Sequence, residues 1–304
     1  LNVGRVADAL ISYMCRQNPE IGIDTGTVNP FVGECNDGFL NDIQGRHVQE
    51  EHVLAALAGA KGGPVEEGAV GAGTGMSAFE FKGGIGTSSR LVPREFGGFT
   101  VGALVLANFG RRVELEVAGV PVGRELQDWS PGPSPIGRTT PPGSRSGLPR
   151  DGVGSSDDRG ASLLAAAPSA SVARKEPPPG SIIVVVATDA PLSHRQLGRL
   201  ARRAAIGLAR TGSGAANGSG DFVLAFSTMR RTPHVSEAPV RRVEEFTDDD
   251  RFAGPLFWAA IEATEEAVLN AVFTAPTVVG RDGNTSPGLP LDLTMEILRR
   301  YGRL

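Results

Sequence analysis

One stretch of unusual composition limits what this 304-residue chain can fold into. Residues 128–179 consist mostly of Pro, Gly, Ser, Arg and short runs of Ala. Such a segment buries too little apolar surface to offset the entropy that ordering would cost, so we predict a disordered linker. The ordered protein is then built from residues 1–127 and 180–304. Each part alone has few predicted strands, and we therefore expect the two parts to share one core.

Apolar periodicity on both sides of this linker predicts helices that alternate with strands. The predicted helices cover residues 3–16, 47–60, 193–212, 255–273 and 291–304. The predicted strands cover residues 29–38, 99–110, 111–119, 181–188 and 221–228. The strand at 181–188 is apolar almost throughout, which is typical of a strand buried on both faces. This alternation favours an α/β sandwich whose strands are covered by helices.

Charge and cysteine content argue against several classes of protein. A formal net charge of −4 gives no electrostatic reason to bind nucleic acid or an anionic membrane. The longest apolar runs are much shorter than the roughly 20 residues that span a bilayer. Two cysteines, Cys15 and Cys35, do not form a disulfide framework. We expect a soluble, cytoplasmic protein; export remains an alternative, because a leader can be removed from a mature chain.

The junction between the linker and the next strand carries a candidate nucleophile. In "PPPGSIIVVVATDAPL", Ser181 follows Gly180 at the first position of the strand. Serine is common at such a position for purely structural reasons. If the chain were cut between Gly180 and Ser181, however, the new α-amine would be able to take the proton of the serine hydroxyl. A flexible segment before the bond and a rigid strand after it suit such a cleavage.

Four further polar residues lie at or near the ends of predicted strands. Ser219 and Asp221 are two residues apart in "GSGAANGSGDF", so in an extended segment they point to one side and can orient a nucleophile's proton. Asn108 in "VLANFG" is a possible amide donor to an oxyanion. Glu34 in "VGECNDG" is a carboxylate that can hold a cationic amine. Each of these residues is also common in ordinary turns.

Metal and phosphate sites are not predicted. His47 and His52 are five residues apart, whereas two zinc ligands on one helix face are four apart. The glycine-rich stretch "GAVGAGTG", residues 68–75, has neither the dinucleotide-binding spacing nor the Lys-Ser/Thr ending of a phosphate loop. We interpret its glycines as sites where backbone approaches backbone closely. No cofactor is expected.

Several long sequence strings together resemble one known family. They are "NPFVGECNDGFLNDI", "EEHVLAALAGAKGGPVEEGAVGAGTGM", "FKGGIGTSSR", "VGALVLANFGRR", "GSIIVVVATDAPL" and "ARTGSG…GD". They are similar to the DmpA-like peptidases of family S58, which include the L-aminopeptidase/D-esterases and the β-peptidyl aminopeptidases. The similarity covers residues 1–126 and 180–304. Members of the family carry about a hundred further residues ahead of the segment matching "LNVGRVADAL", and we expect that this chain lacks them.

The resemblance implies a fold, a maturation step and an assembly. The fold is an αββα sandwich related to the ornithine acetyltransferase fold. The precursor cuts itself before a serine that matches Ser181, which gives an α chain and a β chain of residues 181–304. Family members form homotetramers of αβ units and need no cofactor.

The resemblance also implies roles for individual residues. It makes Ser181 the nucleophile, assisted by Ser219 and Asp221, with Asn108 as the oxyanion amide and with Glu34 and Asn36 as contacts to the substrate. At the position of Asn36 some members have Tyr. The predicted function is a self-processing serine aminopeptidase that releases N-terminal residues from short peptides, amides or esters through an acyl-enzyme. The alternatives are an acyltransferase of the same broad fold and an inactive, truncated relative.

Overall fold

The computed structural model describes residues 1–131, 180–229, 231, 238–240 and 242–304. Leu1–Trp129 and Pro178–Leu304 together form one compact unit. The second unit, Ser130–Pro177, lies almost entirely outside the described residues. The same is true of the predicted linker at 128–179, apart from residues 128–131. Within that short piece, Trp129 packs against the core.

A four-stranded sheet forms the centre of the compact unit. Its strands, in spatial order, are β3 (Gly84–Leu91), β4 (Thr100–Asn108), β5 (Gly180–Thr188) and β6 (Ser219–Ser227). Neighbouring strands are antiparallel except for β5 and β6, which are parallel. Among the described residues, two small hairpins supply the other strands: β1 (Ser77–Ala78) with β2 (Phe81–Lys82), and β7 (Val278–Val279) with β8 (Thr285–Ser286).

Six α-helices accompany the strands in the described part of the chain. They are α1 (Val3–Gln17), α2 (Glu50–Ala58), α3 (Val122–Glu125), α4 (His194–Arg210), α5 (Asp250–Phe273) and α6 (Leu291–Arg300). Five of them match predicted helices within a few residues. The mixed α/β class is therefore confirmed. None of the described helices is long and apolar enough to cross a membrane.

Helices α4 and α5 cover one face of the sheet. A row of small residues on α5 is fully buried: Ala260, Ala263, Ala267 and Ala271. Gly86 on β3 permits this close approach, because a Cβ at that position would clash with the carbonyl oxygen of Ala267. Small side chains on both surfaces thus let the helix backbone come near the strand backbone.

Three local predictions about strands are wrong. On β5, Ile182 and Val184 are buried under the helices, but Ile183 and Val185 are only half-buried, because alternate side chains face opposite sides of the sheet. Residues 29–38 form no strand; within them, the carbonyl of Asn36 accepts from the Asn108 side chain and the N–H of Gly38 donates to the Asn36 side chain. Residues 111–119 also form no strand, because Glu114 accepts a hydrogen bond from the backbone N–H of Arg111 and starts a turn of 3₁₀-helix.

Candidate active site

The register of the sheet places the predicted nucleophile opposite the predicted oxyanion amide. Asn108 is the last residue of β4, and it pairs directly with Ser181 on β5. Side chains of such a pair share a face, with Cβ atoms about 4.5–5.5 Å apart. The hydroxyl of Ser181 donates a hydrogen bond of 2.7 Å to the carbonyl oxygen of Gly180. The hydroxyl therefore lies against the peptide bond at which cleavage is predicted.

The side-chain amide of Asn108 is held in one orientation. Its Nδ2 donates to the carbonyl oxygen of Asn36 at 3.0 Å, and its Oδ1 accepts from the backbone N–H of Ser77 at 3.0 Å. If the amide were flipped, its NH₂ would face the N–H of Ser77 and its oxygen would face the carbonyl oxygen of Asn36, and neither pair can form a hydrogen bond. Nδ2 carries two hydrogens, and the bond to Asn36 uses one. The other makes no hydrogen bond to the described residues.

Ser219 and Asp221 form a hydrogen-bonded pair at the start of β6. The hydroxyl of Ser219 donates to Oδ1 of Asp221 at 2.6 Å, as their spacing predicts for an extended segment. In the parallel register Ser219 lies opposite Gly180, whereas Gly220 lies opposite Ser181. The side chains of Ser219 and Asp221 therefore lie on the face of the sheet opposite to the Ser181 hydroxyl, beside the strand that carries the Gly180–Ser181 peptide. Among the described residues, no hydrogen bond links the pair directly to Ser181.

The segment that carries Glu34 lines a cavity of about 280 Å³. Three carboxylates line it, those of Glu34, Asp37 and Asp42, and Arg46 and His47 lie on the same wall. The side chain of Glu34 is 44% exposed. The cavity therefore offers negative charge to a cationic group.

Two neighbours of Glu34 have different surroundings. Asn36 uses its side-chain oxygen to accept from the N–H of Gly38, and its carbonyl holds Asn108. Cys35 is buried, as predicted, in contact with the backbone of Leu106. Burial, followed by the nearby carboxylates, raises the pKa of the Cys35 thiol to about 11. The thiol is consequently protonated at neutral pH and is a poor nucleophile.

The histidines have local roles in the structure. The ring of His52 accepts a hydrogen bond from the N–H of Gln49 and caps α2, and His47 lies near Asp42. Within the described ranges, no group of three or more His, Cys, Asp or Glu side chains is arranged to hold a metal ion.

Two residues that adjoin the site were missed by the sequence predictions. Ser77 orients Asn108 through its backbone N–H. Every residue except proline has this group, so the residue type at position 77 does not reveal the contact. Lys82 is fully buried and faces Ser77 across the β1–β2 hairpin. A signal for Lys82 does exist: a single cation stands between Phe81 and two glycines in a stretch with no other charge nearby except Glu80.

The sequence profile of peptidase family S58 matches residues 1–286 of the chain. The chain belongs to peptidase family S58. A β-peptidyl aminopeptidase, BapA of Sphingosinicella microcystinivorans, is 42% identical over 304 residues, which are all of this chain and 68% of that protein. Membership of a peptidase family favours hydrolysis over the acyltransferase alternative.

Solved structures agree with the S58 assignment. A protein from Pyrococcus horikoshii superposes with a TM-score of 0.80 at 46% identity, covering 100% of this chain and 71% of that one. The L-aminopeptidase D-Ala-esterase/amidase of Ochrobactrum anthropi gives a TM-score of 0.74 at 35% identity, covering 100% and 72%. The latter is described as a prototype of the serine aminopeptidases with a variant of the Ntn-hydrolase fold. The predicted family, the predicted fold class and the serine aminopeptidase class of hydrolase are thereby confirmed, and the fold is of the Ntn-hydrolase type.

Proposed function

We propose that Ser181 is the nucleophile of this aminopeptidase and that the chain activates itself by cleavage between Gly180 and Ser181. The observation that carries the proposal is the position of the Ser181 hydroxyl. It lies 2.7 Å from the Gly180 carbonyl oxygen, with Asn108 directly opposite. This geometry suits attack on the preceding peptide bond, and afterwards attack on a substrate carbonyl that takes the same place.

The activating step balances as an acyl shift followed by hydrolysis. The Ser181 oxygen attacks the Gly180 carbonyl carbon, the carbon–nitrogen bond breaks, and the nitrogen takes up the proton that the hydroxyl loses. The product is an ester between Gly180 and the Ser181 oxygen. Water then hydrolyses the ester, which leaves a Gly180 carboxylate, the restored hydroxyl and a free α-amine on Ser181.

In turnover, the free α-amine of Ser181 serves as the general base. It takes the hydroxyl proton while the oxygen attacks the substrate, and it returns the proton to the leaving group. The second hydrogen of Asn108 Nδ2 stabilises the oxyanion. Water hydrolyses the resulting acyl-enzyme. The Ser219–Asp221 pair lies on the neighbouring strand, beside the bond whose cleavage creates the amine, so its carboxylate supports the ammonium form that follows proton transfer.

Selectivity for a free N-terminus comes from Glu34 in this proposal. The cavity that Glu34 lines also contains Asp37 and Asp42, so a substrate ammonium meets carboxylates there. Asn36 lies two residues after Glu34 and, in this proposal, also contacts the substrate. The substrate class is short peptides, amides or esters with a free amine, and no cofactor takes part in these steps.

The wider organisation is proposed from the family resemblance. Residues 1–127 form the α-chain part of a shared core, residues 128–179 are a linker, and residues 180–304 form the β-chain part. We propose a cytoplasmic tetramer of αβ units. The exposed side chains of Phe222 and Phe226 on β6 support burial of this face by further protein.

Intact mass after purification tests the maturation step, and two chains are expected, one of them beginning at Ser181. A well-folded sample that stays uncut would contradict it. Selectivity is tested with α- and β-aminoacyl p-nitroanilides and their N-acetyl forms. Acetylation removes the charge and leaves Glu34 unpaired, so only the free amines are expected to be hydrolysed. Equal turnover of both forms would remove Glu34 from this role.

A further inference from the structure

The buried ammonium of Lys82 lies within a cradle of backbone carbonyls. Its Nζ donates to the carbonyl oxygens of Gly73 at 2.8 Å, of Met76 at 2.7 Å and of Gly83 at 2.7 Å. A protonated lysine has three N–H donors, so all of them are used. Burial lowers the pKa of Lys82 to about 8, and the carboxylate of Asp37 opposes this shift. A buried cation that is satisfied in this way organises the backbone around it.

The glycine-rich stretch is packed closely around this lysine. A Cβ on Gly73 would lie 2.5 Å from the carbonyl oxygen of Gly68 and 2.7 Å from the nitrogen of Ile85. A Cβ on Gly75 would clash with the carboxylate of Asp37. Close backbone approach is confirmed for Gly68 and Gly73, whereas Gly75 lies against a side chain and Gly71 has no such neighbour within 4 Å. The stretch wraps Lys82 and holds no phosphate-loop sequence.

One peptide plane connects Lys82 with Asn108. The carbonyl of Met76 and the N–H of Ser77 belong to the same planar trans unit, so they point in opposite directions. Lys82 binds the carbonyl on one side, and Oδ1 of Asn108 binds the N–H on the other. The β1–β2 hairpin is also bound to the residue that follows Asn108. The N–H of Phe79 in the hairpin donates to the carbonyl of Phe109 at 2.7 Å.

We propose that Lys82 is a positioning residue for Asn108. By holding the Met76 carbonyl, it fixes the peptide plane whose N–H binds Oδ1, so that Nδ2 faces the oxyanion position. This inference rests on the proposed role of Asn108 in the reaction. If the plane rotated, the amide would lose its orienting partner, and its oxygen would repel the developing negative charge. Lys82 is not a base itself, because its three N–H groups are all bound to carbonyls.

Two variants test the proposal. Each is expressed as the whole chain, and turnover is measured on folded protein that has completed self-cleavage. Lys82→Met keeps the length of the side chain and removes every donor, whereas Lys82→Gln keeps two donors. We expect kcat to fall by about tenfold to a hundredfold in the Met variant and by less in the Gln variant, with KM within about twofold. These values are at most the lower end of the roughly 10²–10³ that loss of a whole oxyanion donor costs. Self-cleavage is expected to slow in the same order.

Lys61→Met is the matched control, because Lys61 is exposed. It should match wild type in every assay. Hydrogen exchange of the Ser77 amide supplies a readout that does not depend on catalysis, and it should lose protection in both Lys82 variants. A folded Lys82 variant with wild-type kcat, or with a fully protected Ser77 amide, would overturn the proposal.

Failure of the proposed function gives a different pattern. In that case the wild-type chain itself neither cuts at Ser181 nor hydrolyses the aminoacyl p-nitroanilides. The exchange measurement then still decides whether Lys82 holds the Met76–Ser77 peptide.

Discussion

The helix-covered face of the sheet and the strand ends that carry the site are held together by different interactions. Under α5, small apolar residues such as Ala267 meet Gly86, and the contact depends on shape. At the strand ends, Asn108, Ser77 and Lys82 are joined by hydrogen bonds to backbone groups. We therefore expect packing to determine stability in the first region and side-chain orientation to determine turnover in the proposed site. Substitutions should therefore separate folding from turnover.

The largest expected effect is that of Ser181→Ala, at the strand end. The variant lacks the only oxygen proposed to attack, so both self-cleavage and hydrolysis should fall to background. Intact mass should show one uncut chain, and the p-nitroanilide assay should show no turnover above blank. The cavity that a missing hydroxyl leaves is small, so the thermal midpoint should stay near that of uncut wild-type chains. A cleaved Ser181→Ala chain would show that another group performs the attack.

Asp221→Asn is expected to have the next largest effect. The change keeps the shape and removes the charge that we propose supports the ammonium of Ser181. We expect turnover of processed protein to fall by about a hundredfold, which is typical of general acid–base assistance and corresponds to about 2.7 kcal/mol. The thermal midpoint should change little.

Asp24→Asn, at an exposed position, is a suitable control for the Asp221 variant. Because the carboxylate also lies near the proposed cleavage site, only molecules that have completed cleavage should be assayed. Wild-type turnover in processed Asp221→Asn protein would make Asp221 a structural residue of the β6 end and would leave the family assignment intact.

A substitution on the helix-covered face of the sheet should have the reverse effect, lowering stability and leaving turnover unchanged. A Cβ at Gly86 would clash with the carbonyl of Ala267, so Gly86→Ala should destabilise the fold by about 1–3 kcal/mol, the usual cost of overpacking. Turnover per folded, processed molecule should be unchanged. Gly102→Ala on β4 is the matched control, because the nearest atom to its Cβ lies 3.9 Å away. Chemical denaturation measures both, and equal stability of the two variants would contradict the packing argument.

The same contrast explains how far the sequence could predict the molecule. Apolar periodicity located α4 and α5, and the spacing of Ser219 and Asp221 correctly placed them on one side of a strand. Periodicity failed at 111–119, where a side chain of Glu114 that binds backbone outweighs the alternation of apolar residues. The carbonyl cradle of Lys82 could not be predicted from the sequence, because its acceptors are backbone carbonyls and every residue type carries one.

The smallest expected effect concerns pH and the link between β3 and α5. Glu266 accepts hydrogen bonds from Ser88 Oγ at 2.7 Å and from Arg90 at 2.5 Å, and these contacts hold the pKa of its carboxyl below the usual range. A lowered folded-state pKa stabilises the fold above the unfolded pKa, and this contribution is lost as pH falls through the folded value. The side chain is 47% exposed, so we expect only about 0.5–1 kcal/mol. Glu266→Gln should lower the thermal midpoint at pH 7, and its midpoint should approach that of wild type near pH 3.

Glu296→Gln, at an exposed position, is the control and should leave the midpoint unchanged at both pH values. If the midpoint difference between Glu266→Gln and wild type persists unchanged in acid, the shape of the Glu266 side chain, and not its charge, joins the helix to the sheet.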